Sequence, residues 1–423
     1  MRSGQGEPFD IAVMGLGYVG LPLVIEAAKS GLRVLGIEID SRKVQALLQG
    51  SSYVEDVSDE ALQEALRGGF LPTVDSRELA HAEAIIICVP TPLKDQVPDL
   101  SAVTNAGIAA GDHLDRGNLV ILQSTSYPGT TQDVLQPLLE QHSGLKAGKD
   151  FFLAYAPERI DPGNPRWNLR NTPKLVAGID GPSTERAAAL LGKICDEIVL
   201  LPGPREAEMA KLLENTYRHV NIALMNEMAI FCRELGIDVW EVIRGAATKP
   251  FGFQAFYPGP GVGGHCIPVD PNYLSFRVGQ LGYPFRFVEL AKEINARMPS
   301  YVVSRVVELL NDSAKSIKGS TVVLLGVAYK PNVGDVRETP ALPIARKLLS
   351  YGAHLYFADP HVLEFTVDGQ PVAKIPDAEL PVAEADLFII ITAHAALDLE
   401  TLSANGQLIL DTRGVLSAEA ERL

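Results

Sequence analysis

Short apolar runs alternate with longer helical patterns in two stretches of the chain. Between residues 10 and 200 these runs are DIAVM (10–14), RVLGIEI (33–39), AIIICV (84–89), NLVILQ (118–123) and FFLAYA (151–156). After Ser300 they are TVVLLGVAY (321–329), HLYFAD (354–359), DLFIIIT (386–392) and QLILDT (407–412). Runs that are apolar on both faces are typical of parallel strands covered by helices. The pattern predicts an α/β fold with two parallel-sheet domains.

The segment between the two stretches has a helical pattern. From Arg205 to Gly236 the chain contains no Pro and no Gly before its end, and apolar residues recur at helical spacing. We expect one long amphipathic helix there, and then a loop, because Gly and Pro crowd residues 245–271. The predicted domains are a first sheet domain over residues 1–200, a central helical domain over 201–300, and a second sheet domain over 301–423.

Composition and charge exclude several classes of protein. The chain has 423 residues, of which 47% are apolar and 21% are charged, as in soluble globular proteins. Its net charge of -15 disfavours nucleic acid as a partner. Residues 1–10 do not resemble a signal peptide, and the chain lacks an apolar run of about 18 residues, so we expect a cytoplasmic protein with no membrane partner. Its cysteines show no metal-ligand spacing, which predicts reduced thiols and no metal site.

A glycine motif follows the first predicted strand. Gly15, Gly17 and Gly20 form GxGxxG between that strand and a helix, and Glu38 closes the second strand. The glycines allow the backbone to turn and to approach a pyrophosphate at the helix N-terminus. A carboxylate at Glu38 accepts hydrogen bonds from ribose hydroxyls and repels a 2′-phosphate by about 4 kcal/mol. The motif predicts that NAD binds in preference to NADP, and that the sheet domains are Rossmann-like.

One cysteine lies in a different environment from the others. Cys88, Cys195 and Cys232 occur in apolar strand or helix patterns, which predict small buried hydrophobic residues. Cys266 lies in GVGGHCIPVD (261–270), where it is either a nucleophile or a structural thiol. A thiol beside NAD suits the oxidation of a primary alcohol to an acid. The thiolate can hold the aldehyde as a thiohemiacetal, whose second oxidation gives a hydrolysable thioester.

Several polar residues are further candidates. Lys211 and Asn215 are spaced i, i+4 on the long helix, so they either face one reacting oxygen or form a solvated stripe. Glu158 follows a buried strand, at the edge where open α/β sheets bind ligands. Three cations at strand ends of the last domain either bind phosphates or are ordinary surface charges: Lys330, Arg337 and Arg413.

Several motifs occur in the order found in one family. They are GLGYVGLPL (15–23), CVPTP (88–92), QST (123–125), APER (156–159), KLLEN (211–215), GGHCIPVDP (263–271) and GVAYKPNVGDVRET (326–339). In these motifs the chain resembles the nucleotide-sugar 6-dehydrogenases of the UDP-glucose/GDP-mannose dehydrogenase family. Residues 247–274 are most similar to members that oxidise UDP-N-acetylglucosamine. Pro162, in place of a second acid, and His265, where UDP-glucose enzymes usually carry Ser, also favour acetamido sugars.

The resemblance implies roles for individual residues. Cys266 would be the nucleophile, Lys211 and Asn215 would hold the oxyanion, Asp270 and Thr125 would position a water, and Glu158 would assist thioester hydrolysis. Lys211, Asp270 and water stay open as alternatives for the base that removes the hydroxyl proton in the first oxidation. The implied NAD contacts are Gly15, Gly17, Tyr18, Val19, Gly20, Glu38, Thr91, Thr125 and Arg337. The implied UDP-sugar contacts are Glu158, Arg159, Lys211, Phe256, Tyr257, Gly259, Lys330 and Arg413.

The expected function is the four-electron oxidation of UDP-N-acetylglucosamine at C6 to the uronic acid, with two NADH formed. The resemblance also implies a homodimer that packs the long helix across a twofold axis. UDP-glucose, UDP-N-acetylgalactosamine and UDP-N-acetylmannosamine stay open as alternative substrates. Two other classes also stay open, a single-hydride hydroxyacid dehydrogenase, which has no use for Cys266, and a non-catalytic nucleotide sensor.

Overall fold

The computed structural model describes residues 8–94, 97–161, 163–164, 166–264, 266–376, 379–380, 384–417 and 420–423, without the side chains of Cys266 and Pro268. The chain forms two compact units. The first unit comprises Met1–Glu214 and Asn272–Gly282, and the second comprises Asn215–Pro271 and Tyr283–Leu423. No helix in the described ranges is long and apolar enough to cross a membrane.

The first unit alternates strands with helices. Its strands are β1 Phe9–Met14, β2 Val34–Ile37, β3 Leu71–Thr73, β4 Ala82–Ile87, β5 Leu93–Lys94, β6 Val97–Pro98, β7 Leu119–Leu122, β8 Phe152–Tyr155, β9 Lys174–Gly178 and β10 Ile198–Leu200. Its helices are α1 Gly20–Lys29, α2 Ser41–Leu48, α3 Asp59–Arg67, α4 Ser101–Asp112, α5 Gln136–Ser143 and α6 Gly181–Leu191, with a 3-10 helix at Ser76–His81 and a π-helix at Thr130–Leu135.

The main sheet of this unit has the strand order β10-β9-β8-β7-β4-β1-β2-β3. Neighbouring strands are parallel except β8 and β9, which pair antiparallel. The described residues between these two strands include no helix, so the chain returns without the crossover that a parallel pair requires. Val13, Ile86 and Ile121 pack on one face of the sheet, and Ala12, Ile85 and Val120 pack on the other. Burial on both faces explains why these strands read as continuous apolar runs.

Two helices contain residues of both units, α7 Pro204–Glu234 and α9 Cys266–Gln280. The second unit also contains α8 Val239–Ala247, α10 Arg286–Asp312, α11 Ala341–Ser350 and α12 Leu399–Ala404. Its strands are β11 Thr321–Leu325, β12 His354–Ala358, β13 Phe365–Val367, β14 Gln370–Lys374, β15 Leu387–Ile390, β16 Ile409–Asp411 and β17 Glu421–Arg422.

The second sheet has the order β13-β14-β12-β11-β15-β16-β17, with β13 and β14 antiparallel and the other pairs parallel. Val322, Leu324 and Ile389 pack on one of its faces. Val323, Leu325 and Phe388 pack on the other face. Both sheets are thus two-sided α/β layers, which confirms the predicted fold class, whereas the single antiparallel pair in each sheet was not predicted.

The loop that was expected over residues 245–271 is shorter. Helix α8 continues to Ala247 and α9 begins at Cys266, so the irregular segment covers the described residues 248–264. Two prolines did not prevent the helix. Pro268 occupies the third position of α9, where a backbone N–H has no partner within the helix, and Pro271 lies inside the helix, where one backbone hydrogen bond is lost. The predicted long helix runs from Pro204 to Glu234, within two residues of its expected ends.

Candidate active site

The glycine turn after β1 has the geometry of a pyrophosphate site. Gly15 has a φ of +89°, and a Cβ there would lie 2.6 Å from the carbonyl oxygen of Cys88. A Cβ on Gly20 would lie 1.9 Å from the carbonyl oxygen of Gly15. Around Gly17, in contrast, no atom of the described residues other than Gly17 and its two chain neighbours lies within 4 Å of a Cβ position. The turn and the packing of α1 therefore require Gly15 and Gly20, while Gly17 leaves space for a ligand phosphate.

Glu38 lies directly after β2 beside this turn, and it is buried. Its Oε2 accepts a hydrogen bond from Leu16 N at 3.2 Å, and its Oε1 accepts one from Asp40 N at 3.1 Å. Tyr18 is exposed and Val19 is half-buried at the start of α1. Since each Glu38 oxygen accepts one backbone N–H, each retains a lone pair for a ribose hydroxyl.

The structure brings two of the other predicted NAD residues together. Thr91 lies after β4 and Thr125 lies after β7, and these strands are parallel neighbours. The Thr91 hydroxyl donates to the Thr125 carbonyl oxygen at 2.8 Å. Both residues therefore lie at the carboxyl edge of the sheet, where the glycine turn also lies.

Glu158 forms a buried ion pair that the sequence did not predict. Its Oε2 lies 3.0 Å from Lys174 Nζ and accepts a hydrogen bond from Gln123 Nε2 at 3.0 Å. Its Oε1 accepts from the backbone N–H groups of Arg159 at 2.7 Å and Ile160 at 2.9 Å. The side chains of Lys174 and Glu158 are only 4% and 11% exposed. The carboxylate is therefore fixed by four donors.

Arg159 is also engaged within the first unit. Its guanidinium pairs with Glu214 on α7 at 2.8 Å and donates to the Pro173 carbonyl oxygen at 2.7 Å. The segment after β8 is thus tied both to β9 and to the helix that carries Lys211. These contacts give Arg159 a role in holding that segment, in addition to its expected contact with substrate.

Two of the candidates on α7 are buried rather than solvated. Lys211 is 7% exposed, and no described side chain forms a hydrogen bond or ion pair with its ammonium group. Asn215, one turn further on, is 9% exposed and donates to Oδ2 of Asp270 at 2.5 Å. A solvated polar stripe therefore does not describe this pair. Burial of an ammonium group with no partner among the described side chains is costly, which makes Lys211 a candidate for contact with a ligand.

Aromatic contacts hold the segment Phe256–Gly259 within the second unit. The ring of Phe256 meets Tyr217 edge to face, with centroids 5.6 Å apart. Tyr257 stacks on Trp240 at 5.8 Å. The N–H of Gly259 donates to Oδ1 of Asn226 at 2.8 Å.

The guanidinium of Arg413 lies against this segment. A Cβ on Gly259 would lie 2.8 Å from an Arg413 nitrogen, and Arg413 Nε donates to the Ile391 carbonyl oxygen at 2.7 Å. Desolvation by the surrounding protein lowers the pKa of Arg413 to about 10, against the opposite effect of Asp411. The side chain stays cationic at neutral pH, and the structure brings it next to a second predicted sugar contact.

The remaining predicted cations lie on the segment after β11. Lys330 is half-buried, and the guanidinium of Arg337 forks onto Asp335 with two Nε contacts of 2.9 Å. The carbonyl oxygen of Arg337 accepts a hydrogen bond from Gly264 N at 3.2 Å. Gly264 also packs on Tyr329, where a Cβ would lie 2.6 Å from the ring. The segment that leads to Cys266 is therefore held against residues 329–337.

The described cysteines are buried, as their patterns predict: Cys88, Cys195 and Cys232. Burial raises the pKa of Cys88 to about 12, so this thiol is not reactive. The side chain of Cys266, like Pro162 and His265, lies outside the described residues. Within the described part of the chain, no cluster of His, Cys, Asp or Glu could hold a metal ion.

Sequence reasoning missed Lys174 and the polar residues of α7 beyond Asn215. Lys174 opens a buried strand, and a charge in such a position requires a partner. His219 and Asn226 continue the face of Lys211 and Asn215 at spacings of four and seven residues. That periodicity was a usable signal for a buried polar face.

A glycine turn with space for a phosphate and a buried acid directly after the second strand are features of dinucleotide-binding α/β domains. The chain belongs to the UDP-glucose/GDP-mannose dehydrogenase family. The NAD binding domain of that family matches residues 9–197, its central domain matches 205–297, and its UDP binding domain matches 323–418. The protein is therefore an NAD-dependent nucleotide-sugar dehydrogenase.

Relatives with different names match almost the whole chain. UDP-N-acetyl-D-glucosamine 6-dehydrogenase of Salmonella typhi is 33% identical over 425 residues, which cover 97% of both chains. NDP-N-acetyl-D-galactosaminuronic acid dehydrogenase of Ralstonia solanacearum is 33% identical, over 97% of this chain and 96% of that one. The structure of UDP-D-ManNAc dehydrogenase from Pyrococcus horikoshii superposes with a TM-score of 0.87 at 33% identity, over 97% of this chain and 96% of that one.

We predict that Lys174→Met destabilises the protein by about 3 kcal/mol, because it leaves a buried carboxylate without its cation. Urea unfolding measures the change. The double variant Lys174→Met/Glu158→Gln should recover most of it, since the buried, unbonded Oε1 of Gln123 can then turn to accept from the new amide. As a control, Lys146→Met removes the exposed pair with Glu140 and should cost less than about 1 kcal/mol. Equal losses of unfolding free energy in Lys174→Met and Lys146→Met would contradict a stabilising role of the buried pair.

A second prediction concerns pH. Burial, with a smaller effect of Lys292, lowers the pKa of His219 from 6.5 to about 4, so the folded protein holds a neutral ring. The stability that depends on this neutral ring is fully present above pH 6.5 and is lost as the pH falls toward 4. The loss amounts to about 3 kcal/mol. Urea unfolding of His219→Gln should show a shallower decline than the wild type between pH 7 and pH 4.5, and parallel declines would contradict the assignment.

Proposed function

We propose that this dehydrogenase oxidises C6 of a UDP-sugar to the carboxylate, with two NAD reduced per sugar, and that UDP-N-acetylglucosamine is its preferred substrate. The observation that carries the proposal is the buried ammonium of Lys211, which has no partner among the described side chains and lies one turn from Asn215, the partner of Asp270. The similarity of residues 247–274 to enzymes for that sugar supports the substrate. The named activities of relatives also include manno and galacto sugars, so the substrate needs its own test.

The residues then divide the chemistry. Bound NAD accepts one hydride in each oxidation. The Cys266 thiolate adds to the aldehyde from the first oxidation to form a thiohemiacetal, and the second oxidation converts this into a thioester. Lys211 and Asn215 stabilise the oxyanion by charge and by a hydrogen bond. Water positioned by Asp270 and Thr125 cleaves the thioester, which releases the acid and restores the thiol.

In this proposal each domain binds a different part of the cofactor and the substrate. We assign NAD binding to residues 1–200, with Gly15, Gly17 and Gly20 at the pyrophosphate and Glu38 at the ribose, and with Thr91, Tyr18, Val19 and Arg337 as further contacts. Residues 201–300 carry the catalytic Lys, Asn and Cys. Residues 301–423 hold the nucleotide sugar through Lys330 and Arg413, with Phe256, Tyr257 and Gly259 over it, and with Glu158 and Arg159 supporting the reacting end.

An assay with four sugar nucleotides tests this function. We expect the highest kcat/KM for UDP-N-acetylglucosamine among that sugar, UDP-glucose, UDP-N-acetylgalactosamine and UDP-N-acetylmannosamine. Two NADH should form per sugar consumed, because the bound thiohemiacetal is oxidised before release. Absorbance of NADH and chromatography of the product measure both. One NADH per sugar with free aldehyde as the product contradicts the four-electron reaction, and another preferred sugar contradicts the substrate.

Cys266→Ser provides the control for the chemistry. This variant should lose or trap the second oxidation, whereas a single-hydride hydroxyacid dehydrogenase would keep nearly its full rate. Cys232→Ser, at a buried position of α7, should retain two NADH per sugar even if it is less stable. A protein that binds NAD and every sugar nucleotide without reducing NAD would instead be a sensor.

We also propose that the enzyme is a homodimer, with the apolar face of α7 against a second copy. Leu213, Leu224 and Phe231 on this helix are 62%, 48% and 53% exposed, and Leu235, directly after it, is 72% exposed, which is unusual for large apolar side chains so close together. Light scattering should give twice the 45.6 kDa chain mass at micromolar concentration. Phe231→Glu should give a monomer, whereas Leu363→Glu, at another exposed apolar site, should not. A monomeric wild type would contradict the proposal.

A further inference from the structure

A chain of buried hydrogen bonds begins at the segment Phe256–Gly259. The N–H of Gly259 donates to Asn226 Oδ1 at 2.8 Å, and Asn226 Nδ2 donates to Asn295 Oδ1 at 2.9 Å. Asn295 Nδ2 then approaches Nδ1 of His219 at 3.4 Å and its carbonyl oxygen at 3.5 Å. We call Asn226, Asn295 and His219 the relay. It joins the segment directly to Asn226 on α7 and, through Asn295 on α10, to His219 on α7 as well.

The backbone fixes the direction of every bond in the relay. A peptide N–H only donates, so the oxygen of Asn226 must face Gly259, and its NH₂ group must face Asn295. The oxygen of Asn295 consequently faces Asn226, and its NH₂ group faces His219. The Nδ1 atom of His219 must then be an acceptor, which requires the neutral ring with the proton on Nε2.

The burial of the relay argues that it has a specific task. Asn226, Asn295 and His219 are 0%, 6% and 4% exposed. Burying such groups is costly even when they are bonded, and apolar side chains would pack the helices at less cost. Among the described residues, the relay makes the one hydrogen bond to a backbone amide of Phe256–Gly259. The relay therefore fixes the position of Gly259, which packs on Arg413.

We propose that Asn226 is a positioning residue for the sugar nucleotide, with Asn295 as the acceptor that orients its amide. Asn226 holds Gly259 against Arg413, so that the segment and the guanidinium present one preformed surface to the UDP-sugar. The inference rests on the proposed function, in which Phe256–Gly259 and Arg413 contact that substrate. Without the relay, binding must first order the segment, and that cost falls on the sugar nucleotide and not on NAD.

The test compares three variants by steady-state kinetics. Asn226→Leu leaves the Gly259 N–H without its acceptor and should raise KM for UDP-N-acetylglucosamine at least fivefold, with KM for NAD unchanged. Asn295→Asp keeps an acceptor for Asn226, so the Gly259 bond and KM should stay within twofold of the wild type. Asn221→Leu, on the same helix but bonded to the Tyr217 carbonyl oxygen, is the matched control and should also leave KM unchanged.

Two further measurements separate positioning from general damage. In Asn295→Asp the new carboxylate faces His219 Nδ1, so nitrogen NMR of the imidazole should show a proton on Nδ1 that the wild type lacks. In Asn226→Leu the peptide containing Gly259 should exchange its amide hydrogens at least tenfold faster, with β1 peptides unchanged. Equal rises of both KM values, or an unchanged Gly259 exchange rate, would overturn the proposal. If the wild type oxidises none of the sugars, the proposed function fails, and the exchange and NMR results still decide the relay.

Discussion

Buried polar groups need partners, and one face of α7 buries Lys211, Asn215, His219 and Asn226 where a long helix would ordinarily bury apolar side chains. Asn215 and Asn226 each form a hydrogen bond to another segment. Asn215 binds Asp270, and Asn226 binds the segment before Cys266, so the positions of both depend on this helix. Lys211 is the exception, with no partner among the described side chains. Helix α7 therefore positions Asp270 and the segment before Cys266. It leaves the ammonium of Lys211 without a partner among the described side chains, where the chemistry is proposed.

The two sheets repeat one turn and use it differently. Gly15 and Gly326 both have positive φ, and the next N–H in each case donates to an acid after the second strand, Glu38 or Asp359. Asp359 accepts four backbone N–H groups and contacts buried His394. Burial opposes ionisation of Asp359, but these bonds hold its pKa down at about 2. The oxygens of Asp359 are thus occupied by hydrogen bonds within its own turn. Those of Glu38 can each accept one more hydrogen bond, from a ribose hydroxyl.

The nine strands that form long apolar runs, the long helix and the glycine turn could be predicted because each is encoded by local pattern. Apolar runs located the β1 strand to within one residue, and the Gly15–Gly20 spacing located the turn. Lys174 and Asn295 could not be found in this way, since their partners lie 16 and 69 residues away and depend on the pairing of strands and helices. The role expected for Thr125 came from family resemblance alone. Local pattern did single out Cys266 and Arg413, but it left each of them open between a functional role and an ordinary structural or surface position.

The contacts of Glu158 bear on the role in hydrolysis that the resemblance implies for it. A general base needs a free lone pair and a carboxylate that gains stability from a proton. Both oxygens of Glu158 already accept two hydrogen bonds each, one of them from buried Lys174, and protonation would break at least one of these bonds. Glu158 is therefore better suited to fix the segment after β8 and to set its charge than to take a proton. Under the proposed function, proton uptake from the water would then fall to Asp270, whose Oδ2 accepts a hydrogen bond from Asn215.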